Sequence, residues 1–167
     1  MFRYVAAVVC SMLLMTSCFA GDPAKFFQSV LPQVKHETSV PILLPSELPP
    51  PLKEGEIHFA DGNGEHNKYS ITLFYEESAG YAAFVGYFSG EAKGKTSFKG
   101  KKVELVNGIT GYFKGKSCGG SCSPSQIEWS LDDVLYTLQL KIAVKSKDEE
   151  ERALVMAANS AILGGAR

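Results

Sequence analysis

From Glu56 onward, apolar and polar residues alternate with a period of two. Tyr69, Ile71, Leu73 and Tyr75 alternate with Ser70 and Thr72, and Ala83, Val85 and Tyr87 alternate with Phe84 and Phe88. That period predicts strands, because successive side chains on an extended backbone point to opposite faces. Residues 103–106 and 109–113 flank Asn107-Gly108, a dipeptide that tolerates the positive φ angles of a two-residue hairpin turn. A second hairpin is predicted around Asp132-Asp133, with Ile127, Trp129 and Leu131 before it and Val134, Tyr136, Leu138, Leu140 and Ile142 after it. The end of the chain changes period. Ser146-Lys147-Asp148-Glu149 matches a capping box, and Leu154, Ala157, Ala158 and Ala161 form a stripe that Val155 and Ile162 widen. Gly164-Gly165 then supplies a left-handed stop.

Upstream of the strands, Asp22-Pro23 offers an N-cap and a first-turn proline ahead of Phe26, Phe27, Val30 and Leu31, which predicts a short helix ending near Pro32. Residues 40–52 hold five of the eight prolines around Ile42-Leu43-Leu44, so this stretch is extended and not helical. Its apolar residues favour a strap buried across the domain over a displayed Pro-rich ligand. The expected fold is one two-layer α+β domain. Residues 21–55 supply the N-terminal helix and the strap, and residues 56–167 supply a roughly seven-stranded, mostly antiparallel sheet with a C-terminal helix.

The first twenty residues read as an address. Arg3 precedes an apolar run over residues 5–15, shorter than the roughly twenty residues needed to span a bilayer. Two processing routes stay open. In one, an export signal over residues 1–20 is cut after Ala20; in the other, Leu14-Met15-Thr16-Ser17-Cys18 is a lipobox and Cys18 carries a lipid. Either route places the mature chain in the periplasm, outside the cell or on a membrane through the Cys18 lipid. Both leave Cys118 and Cys122 as the cysteines free to pair, in a compartment where neighbouring thiols oxidise.

Composition narrows the function classes. The 167 residues are 45% hydrophobic and 21% charged, an ordinary globular balance. Seventeen Lys plus Arg against 18 Asp plus Glu give no field for a nucleic-acid backbone. His36, His58 and His66 are scattered without ligand spacing, and Asp61–Asn67 departs from a calcium loop because His66 stands where glycine is required, so it reads as a polar connection between strands. His58 reads as a sheet residue within 56–60. No His-Glu-x-x-His and no Walker loop is present, and the acid pairs Glu76-Glu77 and Asp132-Asp133 fall in predicted turns. No cofactor or metal is called for. Lys93, Lys95, Lys99, Lys101 and Lys102 make a locally basic stretch that reads as a solvated loop.

Two features could carry function. Cys118 and Cys122, separated by three residues that include two glycines, can fold back to a disulfide that staples a loop; redox exchange and metal binding are the other readings. Aromatics crowd the middle strands, and Phe84, Tyr87, Phe88 and Tyr112 are candidates for an open face that holds an apolar or glycan ligand, the other reading being an ordinary core enlarged by the Pro-rich strap.

Val-Asn-Gly-Ile-Thr-Gly-Tyr at 106–112, Ile-Glu-Trp at 127–129, Leu-Tyr-Thr-Leu at 135–138 and Ala-Ala-Asn-Ser-Ala-Ile at 157–162 lie in a region covering about a third of the chain. This region resembles bacterial extracytoplasmic domains of unknown function found on anti-sigma-factor-like membrane proteins and on lipoproteins. The resemblance implies a fold like that of lipoprotein carriers, a curved antiparallel sheet covered by helices. The Cys118–Cys122 segment departs from that pattern, so the resemblance transfers neither a regulatory role nor a catalytic residue. The expectation is an exported, non-enzymatic envelope or secreted module that binds a partner protein or an apolar or glycan ligand. The alternative is a thiol-redox or metal-binding envelope protein centred on Cys118 and Cys122.

Overall fold

The structure is a computed structural model that describes residues 22–77, 80–92, 98–119 and 121–167. The expected export signal, Cys18, Lys93 and Lys95 lie outside the described residues. Seven strands form one sheet: β1 (Phe59–Glu65), β2 (Lys68–Phe74), β3 (Phe84–Ala92), β4 (Lys101–Glu104), β5 (Thr110–Lys114), β8 (Ser125–Leu131) and β9 (Val134–Leu140). Two further strands, β6 (Ser117–Cys118) and β7 (Cys122–Ser123), pair only with each other. The large sheet has the order β1-β2-β3-β9-β8-β5-β4, and every pairing in it is antiparallel. Helices α1 (Leu31–Glu37) and α2 (Lys147–Gly164) complete a two-layer α+β domain.

Turn chemistry sets both hairpins. Asn107 has φ 61° and Gly108 φ 71°, as a two-residue turn between Val106 and Ile109 requires. One residue more than expected is inserted beside it. The Leu105 N–H reaches the Ile109 carbonyl while Glu104 still pairs with Thr110, and the freed Val106 N–H donates to Asn159 Oδ1 of α2 at 2.8 Å. Asp132 and Asp133 take φ 50° and 60°, joining Leu131 directly to Val134. The α2 start is a modified capping box. The Ser146 hydroxyl accepts from the Glu149 N–H, but the Glu149 carboxylate reaches one residue further back, to the Lys145 N–H at 2.9 Å.

The inner sheet face is apolar across the five central strands. Ile71, Phe88, Leu138, Ile127 and Phe113 stand in one row across five strands, and all are buried. Tyr69, Tyr136 and Trp129 stand in the next row, with Gly90 between the two tyrosines. A Cβ at Gly90 would lie 2.5 Å from Tyr69 Cε1 and 3.1 Å from Tyr136 Cε1, so those rings occupy the space a side chain would need. The opposite face carries Thr72, Tyr87, Gln139 and Gln126 in one row and Ser70, Ser89, Thr137, Glu128 and Tyr112 in the next, all half-buried. Sheets of this kind can leave one face to water.

The second layer runs from α1 over β1, through the strap, to α2 over β8 and β9. In the strap, Val40, Ile42, Leu43, Leu44, Leu48 and Pro49 are buried. Two tyrosines of the sheet hold it. Tyr69 Oη accepts from the Leu43 N–H at 3.1 Å and donates to the Leu43 carbonyl at 3.3 Å, and Tyr136 Oη donates to the Pro41 carbonyl at 2.9 Å. The chain end adds a third tie, because the Arg167 N–H donates to the Ile42 carbonyl and its guanidinium to Leu44.

Three local expectations are corrected. The N-terminal helix does not span 24–31 and stop at Pro32: a single 3-10 turn covers Lys25–Phe27, and α1 begins at Leu31 with Pro32 in its first turn. A first-turn proline loses no helical hydrogen bond, so Pro32 starts the helix. Asp61–Asn67 is not a connection, because most of it is edge strand β1, lying under α1. A Cβ at Gly64 would stand 2.6 Å from Glu37 Cβ, and the Gly64 N–H donates to Glu37 Oε2, so glycine is what lets α1 approach this strand. The Glu37 carboxyl is held below its ordinary range by the Gln33 amide and by that same N–H. Lastly, His58 precedes β1 and is exposed.

Candidate functional site

The four aromatic candidates do not share a face. Phe88 points into the core, edge-on to Phe27 with ring centroids 5.1 Å apart, and Phe84 is also buried. Tyr87 and Tyr112 point to the opposite, polar face from β3 and β5, with β9 and β8 between them. Tyr112 stacks on Phe98 at 4.4 Å. Alternation alone put Tyr87 on the apolar side, because Gly86 and Gly90, which share the inner face of β3 with Phe88, carry no hydrophobic side chain to reveal it.

Cys118 and Cys122 face each other across β6 and β7, with their Sγ atoms at disulfide distance and both residues exposed. The hairpin is anchored at its base. The Lys116 N–H donates to Ser125 Oγ at 2.8 Å, and that hydroxyl donates to Glu150 Oε2 of α2 at 2.5 Å. Ser125 is 3% exposed, and this double use satisfies its hydroxyl. Residues 115–119 also spell Gly-x-Ser-x-Gly, but Ser117 lies on this exposed hairpin and not on a strand-to-helix elbow. Among the described residues no group of three or more His, Cys, Asp or Glu could hold a metal ion. His36, His58 and His66 are each exposed, on α1, before β1 and in the β1–β2 turn.

Apolar surface is left open elsewhere. Met156 and Leu163 are 53% and 61% exposed, and they are the exposed large hydrophobic residues among those described. Both project from the outer side of α2 into a groove of about 680 Å³, whose facing wall is the strap from Ser46 to Pro50. A second hollow of about 520 Å³ continues from Met156 past Pro50 and Pro51 to Ala143 and Val144. Polar groups rim the groove: Glu47, Asn159 and Ser160 on the first part, Lys145, Glu149 and Arg152 on the second. The Ser46 N–H donates to Ser160 Oγ at 3.1 Å and pins the strap wall to the helix. The sequence held a trace of this site, since Met156 and Leu163 are seven residues apart and lie off the Leu154–Ala161 stripe. Nothing local, however, says that the prolines of the strap face them.

No protein-family model, curated protein or solved structure matches the chain. Among the described residues no helix is long and apolar enough to cross a membrane.

Proposed function

We propose that this chain is an exported binding module that receives an apolar segment of a partner protein in the groove between α2 and the Pro-rich strap. One observation carries the reading: the two large hydrophobic residues left exposed among those described both line the same groove of about 680 Å³. Exposed apolar patches with a polar rim are the ordinary signature of a protein contact. The open groove suits side chains of a partner helix or strand better than a small molecule, which is typically enclosed over most of its surface. Export rests on the charged and apolar N-terminal residues, and an exposed pair of cysteines at disulfide distance fits an oxidising compartment. The resemblance of residues 103–162 to extracytoplasmic domains of envelope proteins supports the same setting.

The test is a titration of isotopically labelled protein with a leucine-rich amphipathic peptide, followed by amide chemical shifts. Shifts are expected at residues 46–48 and 152–164, and Leu163→Ser should remove them. Shifts gathered around Tyr87 and Tyr112, or none at saturating peptide, would contradict the reading.

A further inference from the structure

Beyond that binding role, and independent of it, the surroundings of Cys118 and Cys122 differ in a way that matters for sulfur chemistry. Cys118 opens onto a cavity of about 440 Å³ shared with the first turn of α2, where Lys116, Lys145, Ser146, Lys147 and Glu150 also stand. Three lysines and one glutamate line this cavity beside the N-terminal end of the 18-residue helix α2. Asp148 and Glu149 also belong to that first turn, but the Glu149 carboxylate is engaged by the Lys145 N–H and neither residue lines the cavity, so the lining itself favours negative charge. The Glu150 carboxylate is engaged by the Ser125 hydroxyl. Lys147 is held over the base of the hairpin, since a Cβ at Gly115 would lie 2.8 Å from Lys147 Cε.

Cys122 opens onto a smaller hollow of about 120 Å³ walled by Pro124, Leu140 and Ile142, with Lys116, Lys141 and Glu150 as its charged groups. Lys141 is committed elsewhere, its ammonium donating to the Ala82 carbonyl at 2.9 Å. Cys122 therefore has an apolar wall and a weaker positive field than Cys118.

We propose that the hairpin is a thiol–disulfide exchange site for protein dithiols, in which Cys122 is the sulfur attacked and Cys118 the sulfur released as thiolate. A partner thiolate bonds to Cys122 Sγ as the Cys118–Cys122 bond breaks, and the electron pair of that bond passes to Cys118 Sγ. The second thiol of the partner loses its proton to solvent and attacks the partner's own sulfur in the mixed disulfide, and Cys122 leaves as thiolate. The partner is oxidised by two electrons to a disulfide. The hairpin is reduced by two and takes any protons it binds from the medium.

The experiment uses the mature protein and two probes, iodoacetamide on the reduced form and glutathione on the oxidised form, with peptide mapping of each cysteine. In the reduced form Cys118 should be alkylated at least about fivefold faster than Cys122 at pH 7. Lys145→Gln with Lys147→Gln, both at exposed positions, should bring its rate down to that of Cys122. In the oxidised form, quenched early with N-ethylmaleimide, glutathione should be found on Cys122 and the maleimide on Cys118. Equal alkylation rates, a rate unmoved by the double substitution, glutathione on Cys118, or a native disulfide that glutathione does not open would each overturn the proposal.

Discussion

The two sides of α2 show two uses of the same kind of residue. On the side facing β8 and β9, Leu154, Ala157, Ala158 and Ala161 are fully or almost fully buried, and the small alanines let the helix lie close to those strands. On the other side Met156 and Leu163 line the groove beside the strap and remain more than half exposed. The inner residues are accounted for by folding. The outer two gain nothing comparable from it, and the proposed contact with a partner would supply what folding does not. The strap repeats the contrast along its own length, with Ile42 to Leu44 sealed under the layer and Pro50 and Pro51 at the open groove.

Substitutions should separate the two sides by size of effect. Leu154→Ala opens a cavity in the core and should cost about 2–5 kcal/mol in denaturant unfolding. Tyr69→Phe should cost about 1–3 kcal/mol, because it leaves the buried Leu43 N–H and carbonyl without their shared partner. The same variant tests the pH dependence. Burial raises the Tyr69 phenol well above its ordinary range and pushes Tyr136 up to about 12. Groups raised on folding give stability that is complete below their unfolded value near 10 and is lost as pH climbs toward the folded value. Wild-type stability should therefore fall above about pH 10, and the fall should be shallower in Tyr69→Phe. Lys101→Ala removes the 2.8 Å pair with Glu151 between β4 and α2, and at a half-exposed site this should cost under about 1 kcal/mol. Met156→Ser and Leu163→Ser should change stability by no more than about 0.5 kcal/mol. A loss from either as large as that from Leu154→Ala would show that the outer side is core after all.

Much of the fold was legible because turns and caps are local. Asn107-Gly108, Asp132-Asp133, Ser146 and Gly165 each sit where their backbone preference put them, and the antiparallel sheet follows from the hairpins. The misreadings arise where a distant neighbour decides. Gly62 and Gly64 look like loop until α1 is laid against them, and Pro32 looks like a stop until it is found inside a first helical turn. Tyr87 looks inward because the glycines beside Phe88 hide which face is apolar. The groove was out of reach for the same reason. Its two walls, residues 46–50 and 156–164, are over a hundred residues apart, and only the folded strap brings them together.

The most direct test of the binding surface is photo-crosslinking in cells that make the full chain, with a photoreactive side chain placed in turn at Met156, Leu163 and, on the outer sheet face, Thr137. Positions 156 and 163 should capture the same partner through this surface, the capture at 156 should disappear when Leu163 is changed to Ser, and position 137 should capture none of it. Equal capture from Thr137, or none from either helix position while Thr137 labels a partner, would contradict the proposed surface.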